Sequence, residues 1–324
     1  MAIATLDVQT NWTSGAVSPR FKGRPDVGKF QNAALIIENA LVFPLGGIAN
    51  RSGTRFVIEA KNQASATTLI PFEFSDIQAY VVEAGVNYFR FYRNQGQIVA
   101  PNVTASIANG TFGSDISGWT NRSAGSGAIA FDTDHMNLVG AGSGNEARAE
   151  QNISISEEST VHVLRFEVDG TLGKFVNVRI GSTTGAVNIL AEAAFGIGHH
   201  CVEFTPGASN AFLQFRNDES SSTTLQIDDV SLIDNAAVEI GSPFAAADLP
   251  DFNISQSADT AYLAHSTYAP YKLTRSGHSS WSITKVNFGT NPFTTSTTYP
   301  AAVEFFEERL VFGGTTDNPN KLWF

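Results

Sequence analysis

The chain has 324 residues, of which 42% are hydrophobic, 11% aromatic and 16% charged, with a net charge of −11. A charged fraction this low, with 24 Phe and abundant Gly, Ser, Thr and Asn, favours β-sheet and turns over helix bundles. No apolar run approaches the roughly 20 residues a membrane-spanning helix needs, and an internal disulfide is excluded because Cys201 is the single cysteine.

The opening "MAIATLDVQTNWTSG" lacks a basic stretch followed by an apolar core, so no signal peptide is expected. Two phrases rich in turn residues and arginine follow, "SGAVSPRFKGRPDVGKF" and "FPLGGIANRSGTRFV". Met1 to Lys61 carries 7 basic against 4 acidic residues. Gly46, Gly47 and Gly53 permit sharp turns through positive φ. Arg20, Arg24, Arg51 and Arg55 present planar, forked donors suited to carboxylates on another subunit. These four are the candidate assembly interface; the plain alternative for each is a solvated surface charge.

Three later stretches are alike: "AYVVEAGVNYFRFYR" from Ala79, "AYLAHSTYAPYKLTR" from Ala261 and "RLVFGGTTDNPNKLWF" from Arg309. Each has a short apolar strand, a turn and a second alternating strand, the pattern of a hairpin. The second and third start 48 residues apart. The first and second start 182 apart, which falls to 45 if the 137 residues from Pro101 to Ala237 are an insertion. A repeat of about 40–50 residues with several strands is the signature of a β-propeller blade. The expected architecture is therefore all-β, with propeller-type blades in 1–100 and 238–324 and an inserted β-sandwich in 101–237.

The insert carries 6 basic against 16 acidic residues, nearly all of the net charge. Alternating segments such as "TVHVLRFEV", "FVNVRIG", "HCVEF" and "AFLQFR" give roughly eight short strands, enough for two facing sheets. Its opening "NGTFGSDISGWT" and closing "LQIDDVSLID" resemble the jelly-roll carbohydrate-binding modules. That resemblance implies adjacent ends, a module that can be excised without unfolding the remainder, and glycan contact with Trp119 as its possible residue. An aromatic in that place is also a natural core residue. So acidic a module is expected to face outward on any larger assembly, away from DNA.

The ordered combination "SPRFKGRPDVGKFQNAALIIENALVFPLGGIANRSGTRFV", "LIPFEFS", "YLAHSTYAPYKLTR" and "AVEFFEERLVFGGT" resembles the phage tail nozzle, or tail tubular B, family. The resemblance spans Ser14 to Val99 and about Phe252 to Phe324. It implies a homo-oligomeric ring, usually a hexamer, that docks on adaptor or connector proteins in the virion tail and passes DNA without binding it. Family members continue well beyond the position of "KLWF", so a short member or a fragment is expected. The rival reading is a carbohydrate-binding adhesin or host-receptor-binding tail protein; a tailspike would show β-helix repeats, and none appears.

Catalytic signatures are lacking: there is no Gly-x-Ser-x-Gly elbow, phosphate loop, Cys-x-x-Cys pair or His-Glu-x-x-His helix. His199 and His200 are neighbours in a strand and should point to opposite faces, as should Asp228 and Asp229. A structural calcium is what the sandwich resemblance would add, yet Gly113 stands where such modules place a carboxylate. Cys201 reads as a half-buried small side chain. The expectation is a protein that is not an enzyme and has no cofactor.

Overall fold

The structure, a computed structural model, describes residues 9–75 and 77–324, and the chain forms two compact units, 1–56 and 57–324. The first unit is mostly turns. Strand β1 (Gly15–Ala16) pairs in parallel with β2 (Ala33–Ala34), and β3 (Ala40–Val42) pairs antiparallel with β4 (Ile48–Asn50). Gly46, at φ +99°, closes the second hairpin, and its carbonyl accepts from Trp12 N at 3.0 Å. Among the described residues of this unit no apolar side chain is buried; Leu35, Ile36, Leu41, Phe43, Leu45 and Phe56 are all exposed.

The second unit begins with a meander of β5 (Thr68–Ser75), β6 (Gln78–Gly85) and β7 (Tyr88–Arg93), with the short β8 (Gly96–Gln97) on the edge of β7. The sandwich follows. Its strands are β9 (Thr120–Asn121), β10 (Ala128–Asp132), β11 (His135–Ala141), β12 (Ala147–Ser154), β13 (His162–Gly170), β14 (Val176–Gly181), β15 (Leu190–Phe195), β16 (Gly198–Phe204), β17 (Asn210–Asn217) and β18 (Ser222–Ile233). Strand β19 (Glu239–Gly241) returns to pair with β7. A second meander comprises β20 (Asn253–Ser257), β21 (Thr260–His265), β22 (Tyr268–Arg275) and β23 (Trp281–Lys285), and a hairpin comprises β24 (Ala302–Phe306) and β25 (Arg309–Gly313).

Period-two alternation builds the sandwich core. On β13 Leu164, Phe166 and Val168 turn inward while Arg165 and Glu167 turn away. These meet Val178, Leu213 and Phe215 from the facing sheet, whose strand order is β15-β14-β17-β12-β9. The ends of the 101–237 segment lie together: Ala100 N donates to Ala236 O at 2.8 Å and Asn235 N to Pro101 O at 3.2 Å.

The expectation that this segment can be excised cleanly is corrected by the other sheet. It has nine strands in the order β10-β11-β18-β13-β16-β23-β22-β21-β20, so the sandwich and the second meander share one hydrogen-bonded surface. The joint is β16 against β23, with Cys201 opposite Trp281 and His199 opposite Ile283. Beneath it lies a second core in which Val163 and Cys201 from the sandwich pack with Phe72, Tyr80, Phe91, Leu263 and Trp281. The reason is that β13 and β16 contribute to both cores, Leu164, Phe166, Val168, Val202 and Phe204 to the first and Val163 and Cys201 to the second. Cys201 is 1% exposed, not half-buried; its thiol donates to Glu239 O at 3.3 Å, and burial pushes its pKa up to about 12.

Ala79 and Ala261 are the second residues of the second strands, β6 and β21, of the two meanders, and Arg309 opens the second strand of the last hairpin. The three lie in separate sheets. The meanders bury their inner faces against each other in the second core. The fold is all-β, a sandwich joined to packed meanders.

Candidate functional site

Arg24 and Arg51 are held separately by neighbours in their own turns. The Arg24 guanidinium donates to both Asp26 oxygens, at 2.8 and 2.7 Å; this raises its own pKa and holds the Asp26 carboxyl below its ordinary value. Arg51 Nε donates to Asn39 Oδ1 at 3.1 Å, and its backbone N to Asn39 O at 2.9 Å. Arg20 is exposed on a single 3-10 turn, and Arg55 is exposed near the end of the unit.

Trp119 is 7% exposed, between Phe112 and Phe215 at centroid distances of 5.8 and 5.7 Å, and its Nε1 donates to Asn109 O at 3.2 Å. A ring buried on this scale has no face for a sugar, so the glycan-contact expectation for Trp119 is corrected to a core role. Asp229 takes φ +51° at an irregularity between β13 and β18, with its N–H donating to Asp228 Oδ1 at 2.7 Å. Among the described residues no group of three or more His, Cys, Asp or Glu is placed to hold a metal. His199 and His200 do point to opposite faces. His199 Nδ1 lies 3.3 Å from Glu167 Oε2, while His200 lies between Ser282 Oγ and Gly196 O, each at 2.8 Å. Burial lowers the imidazoles to about 4 and about 3 respectively.

The residues with the most organised polar geometry were not singled out from sequence. They occupy the outer face of the sheet β15-β14-β17-β12-β9. The register sets Arg179 beside Gln214 and Gln214 beside Glu150. Arg179 Nε donates to Gln214 Oε1 at 2.9 Å, Gln214 Nε2 to Glu150 Oε2 at 3.2 Å, and Arg122 Nε to Glu150 Oε1 at 3.0 Å. Thr184 Oγ1 also donates to Glu150 Oε1, at 3.1 Å. Glu150 and Gln214 are each 2% exposed, a burial that a carboxylate tolerates only with such partners. In the next row Arg216 and Arg148 both donate to Glu146 Oε2, at 2.8 Å and 2.8 Å, and Glu192 bridges Arg179 and Arg216.

Phe212 adjoins this network on the same face, half-buried, with Asn152 on one side and Gly181 on the other. Guanidinium, amide and carboxylate planes side by side, next to an apolar ring, can hydrogen-bond paired hydroxyls and pack against a sugar face. Glu146 is held below the ordinary carboxylate range, chiefly by its hydrogen bond from Arg216, and so serves as an acceptor. The sequence signal was present in "ARAEQ" and "AFLQFR", where small or apolar residues alternate with charged or amide ones.

No family model and no curated protein matches the sequence. Among solved structures, 40% of the chain is similar to 99% of a family 16 carbohydrate binding module, at 18% identity and a TM-score of 0.31. The N-terminal cellulose-binding domain of Cellulomonas fimi β-1,4-glucanase C is similar over 39% of this chain and 94% of its own, at 20% identity and a TM-score of 0.29. The enzymatically active domain of bacteriophage CBA120 tailspike protein 4 is similar over 39% of this chain but only 21% of its own, at 20% identity and a TM-score of 0.31. Scores this low assign no function to this chain.

Proposed function

We propose that this chain is a non-enzymatic tail protein of a virion whose sandwich binds a host-surface carbohydrate. The observation that carries the reading is the Arg179–Gln214–Glu150–Arg122 row on the sheet face, with Phe212 beside it. Planar hydrogen-bonding groups fixed by one another are pre-organised, so little ordering entropy is lost when hydroxyls dock. The test is a glycan array probed with the full chain, followed by titration of the best ligand. Arg179→Ala should weaken binding about 10-fold while leaving the melting temperature within a few degrees. An array with no bound glycan, or equal affinity in the variant, would refute the proposal.

A second reading, the nozzle ring, is favoured by the first unit. The unit carries its apolar side chains exposed, as an assembly segment would before docking. In this reading the two meanders and the last hairpin are successive blades, the ring is a hexamer seated on an adaptor, and DNA passes through it without specific contact. The acidic sandwich then faces outward. Arg51→Glu combined with Arg55→Glu should block incorporation into tails while the purified chain keeps its melting temperature; normal incorporation would count against it.

A further inference from the structure

We infer that a second site, separate from the Arg179 row, lies where the nine-stranded sheet runs out from under the sandwich, and that it takes a carboxylate-bearing sugar. The inner face of that sheet is apolar on β13, where the facing sheet covers it. Past β16 it turns polar. One row across the strands reads Tyr262, Lys272, Thr284 and Gly198, and the next reads Thr274, Ser282 and His200. Together with Phe175, Phe195 and Asn287 these rows, Gly198 aside, line a cleft of about 460 Å³, within the range of small-ligand sites.

Three features of the cleft point to that ligand. Thr284 is 7% exposed, yet its hydroxyl makes no hydrogen bond among the described residues. It stands on the cleft face because Ile283 on the same strand turns into the second core. Its row neighbour Gly198, at φ +143°, sits so close to β23 that a Cβ would lie 2.0 Å from Ile283 O, so no side chain from that strand reaches the hydroxyl. A buried, unpaired hydroxyl is costly, and a ligand oxygen would supply the missing partner.

The second feature is charge. Lys272, paired with Thr284 across the strands, has no carboxylate partner among the described residues, whereas Lys174 in the same cleft is bound to Glu219 Oε2 at 2.9 Å. Lys285 also borders the cleft, but its charge bears on Glu167, which leaves Lys272 as the cation in the Thr284 row without a carboxylate partner among the described residues. The third is the remainder of the wall. Phe175 is 41% exposed, and the Asn287 side chain lies against Gly173, whose φ of +87° and missing Cβ leave it room. Aromatic, hydroxyl and amide groups beside the Lys272 ammonium suit a sugar ring with a carboxylate better than a bare inorganic anion, which needs several donors and no apolar wall.

The test is titration of the full chain with D-glucuronate and with a galacturonate trimer, using galactose and inorganic phosphate as comparison probes. Binding of the uronates is expected, at least 10-fold tighter than galactose or phosphate. Lys272→Met should weaken uronate binding about 10-fold, and Thr284→Val about 3-fold or more, through loss of a charged and a neutral hydrogen bond. Thr284→Val should also melt no lower than the parent, since it removes an unpaired buried hydroxyl; that separates binding from folding. Arg179→Ala should leave uronate binding unchanged, so failure here and failure of the proposed function are distinguishable. The inference is overturned if uronates do not bind, if phosphate binds as well as they do, or if Lys272→Met leaves their affinity intact.

Discussion

Replacing Trp281 should weaken the sandwich and the meanders together. Its ring is 1% exposed, stacked on Phe91 at 4.1 Å and 10°, and edge-on to Phe72 and Tyr80 at 5.1 and 5.2 Å. The indole N–H donates to His278 O at 2.9 Å. Truncating a buried Trp to Ala costs about 3–5 kcal/mol. Here three aromatic partners and a carbonyl left unpaired place the loss near the top of that range, about 5 kcal/mol. For a unit of this size each kcal/mol moves the midpoint by roughly 2–4 °C, so Trp281→Ala should melt about 10–20 °C lower. Trp281→Phe keeps the stack on Phe91 and loses the N–H bond, and should cost about 2 kcal/mol. Thermal unfolding followed by near-ultraviolet circular dichroism gives the midpoints. Hydrogen exchange at His199 and Cys201, on the strand paired with β23, reports whether the sandwich feels the change. A midpoint within 3 °C of the parent, or unchanged protection at those amides, would refute the shared-core argument.

Burial, followed by the charges of Asp229, Asp228 and Asp169, raises Glu167 to about 7. The folded protein therefore holds its proton more tightly than the unfolded chain, and stability falls as pH rises from about 4.5 through 7. Glu167→Gln should then be more stable than the parent at pH 8, by about 1–2 kcal/mol after allowing for partial exposure, with the difference closing below pH 5; denaturant titration at both pH values checks it, and an equal gain at both would contradict the assignment. Trp119→Ala should cost about 3–5 kcal/mol in denaturant titration, while Trp119→Phe, if folded, should bind glycan as the parent does; a selective loss of binding would return Trp119 to the site. Deleting 101–237 through a short Gly-Ser joint should give a protein with a broadened or lost thermal transition, because β23 loses its partner β16 and the second core loses Val163 and Cys201; a sharp transition near the parent midpoint would show that the segment is dispensable.

Local chemistry made much of this legible in the sequence. The alternation in "TVHVLRFEV" marks Leu164, Phe166 and Val168 as one face, and the turns of "EAGVNYF" and "AHSTYAP" mark hairpins, because side-chain period and turn geometry depend on near neighbours. The same period separates His199 from His200. Which neighbour covers each face was decided only in three dimensions. Backbone hydrogen bonds between strands carry no residue code, so nothing in "HHCVEF" names β23 as its partner. Ser282 reaches His200 across 82 positions of chain, and that pairing turns a half-buried cysteine into a core residue. Trp119 went inward because Phe112 and Phe215 close over it. The Arg179 row and the Lys272 cleft arise from register between strands, where charged residues distant in sequence become adjacent. Sequence determined the strands and their two faces; packing determined which faces meet and which stay open to a ligand.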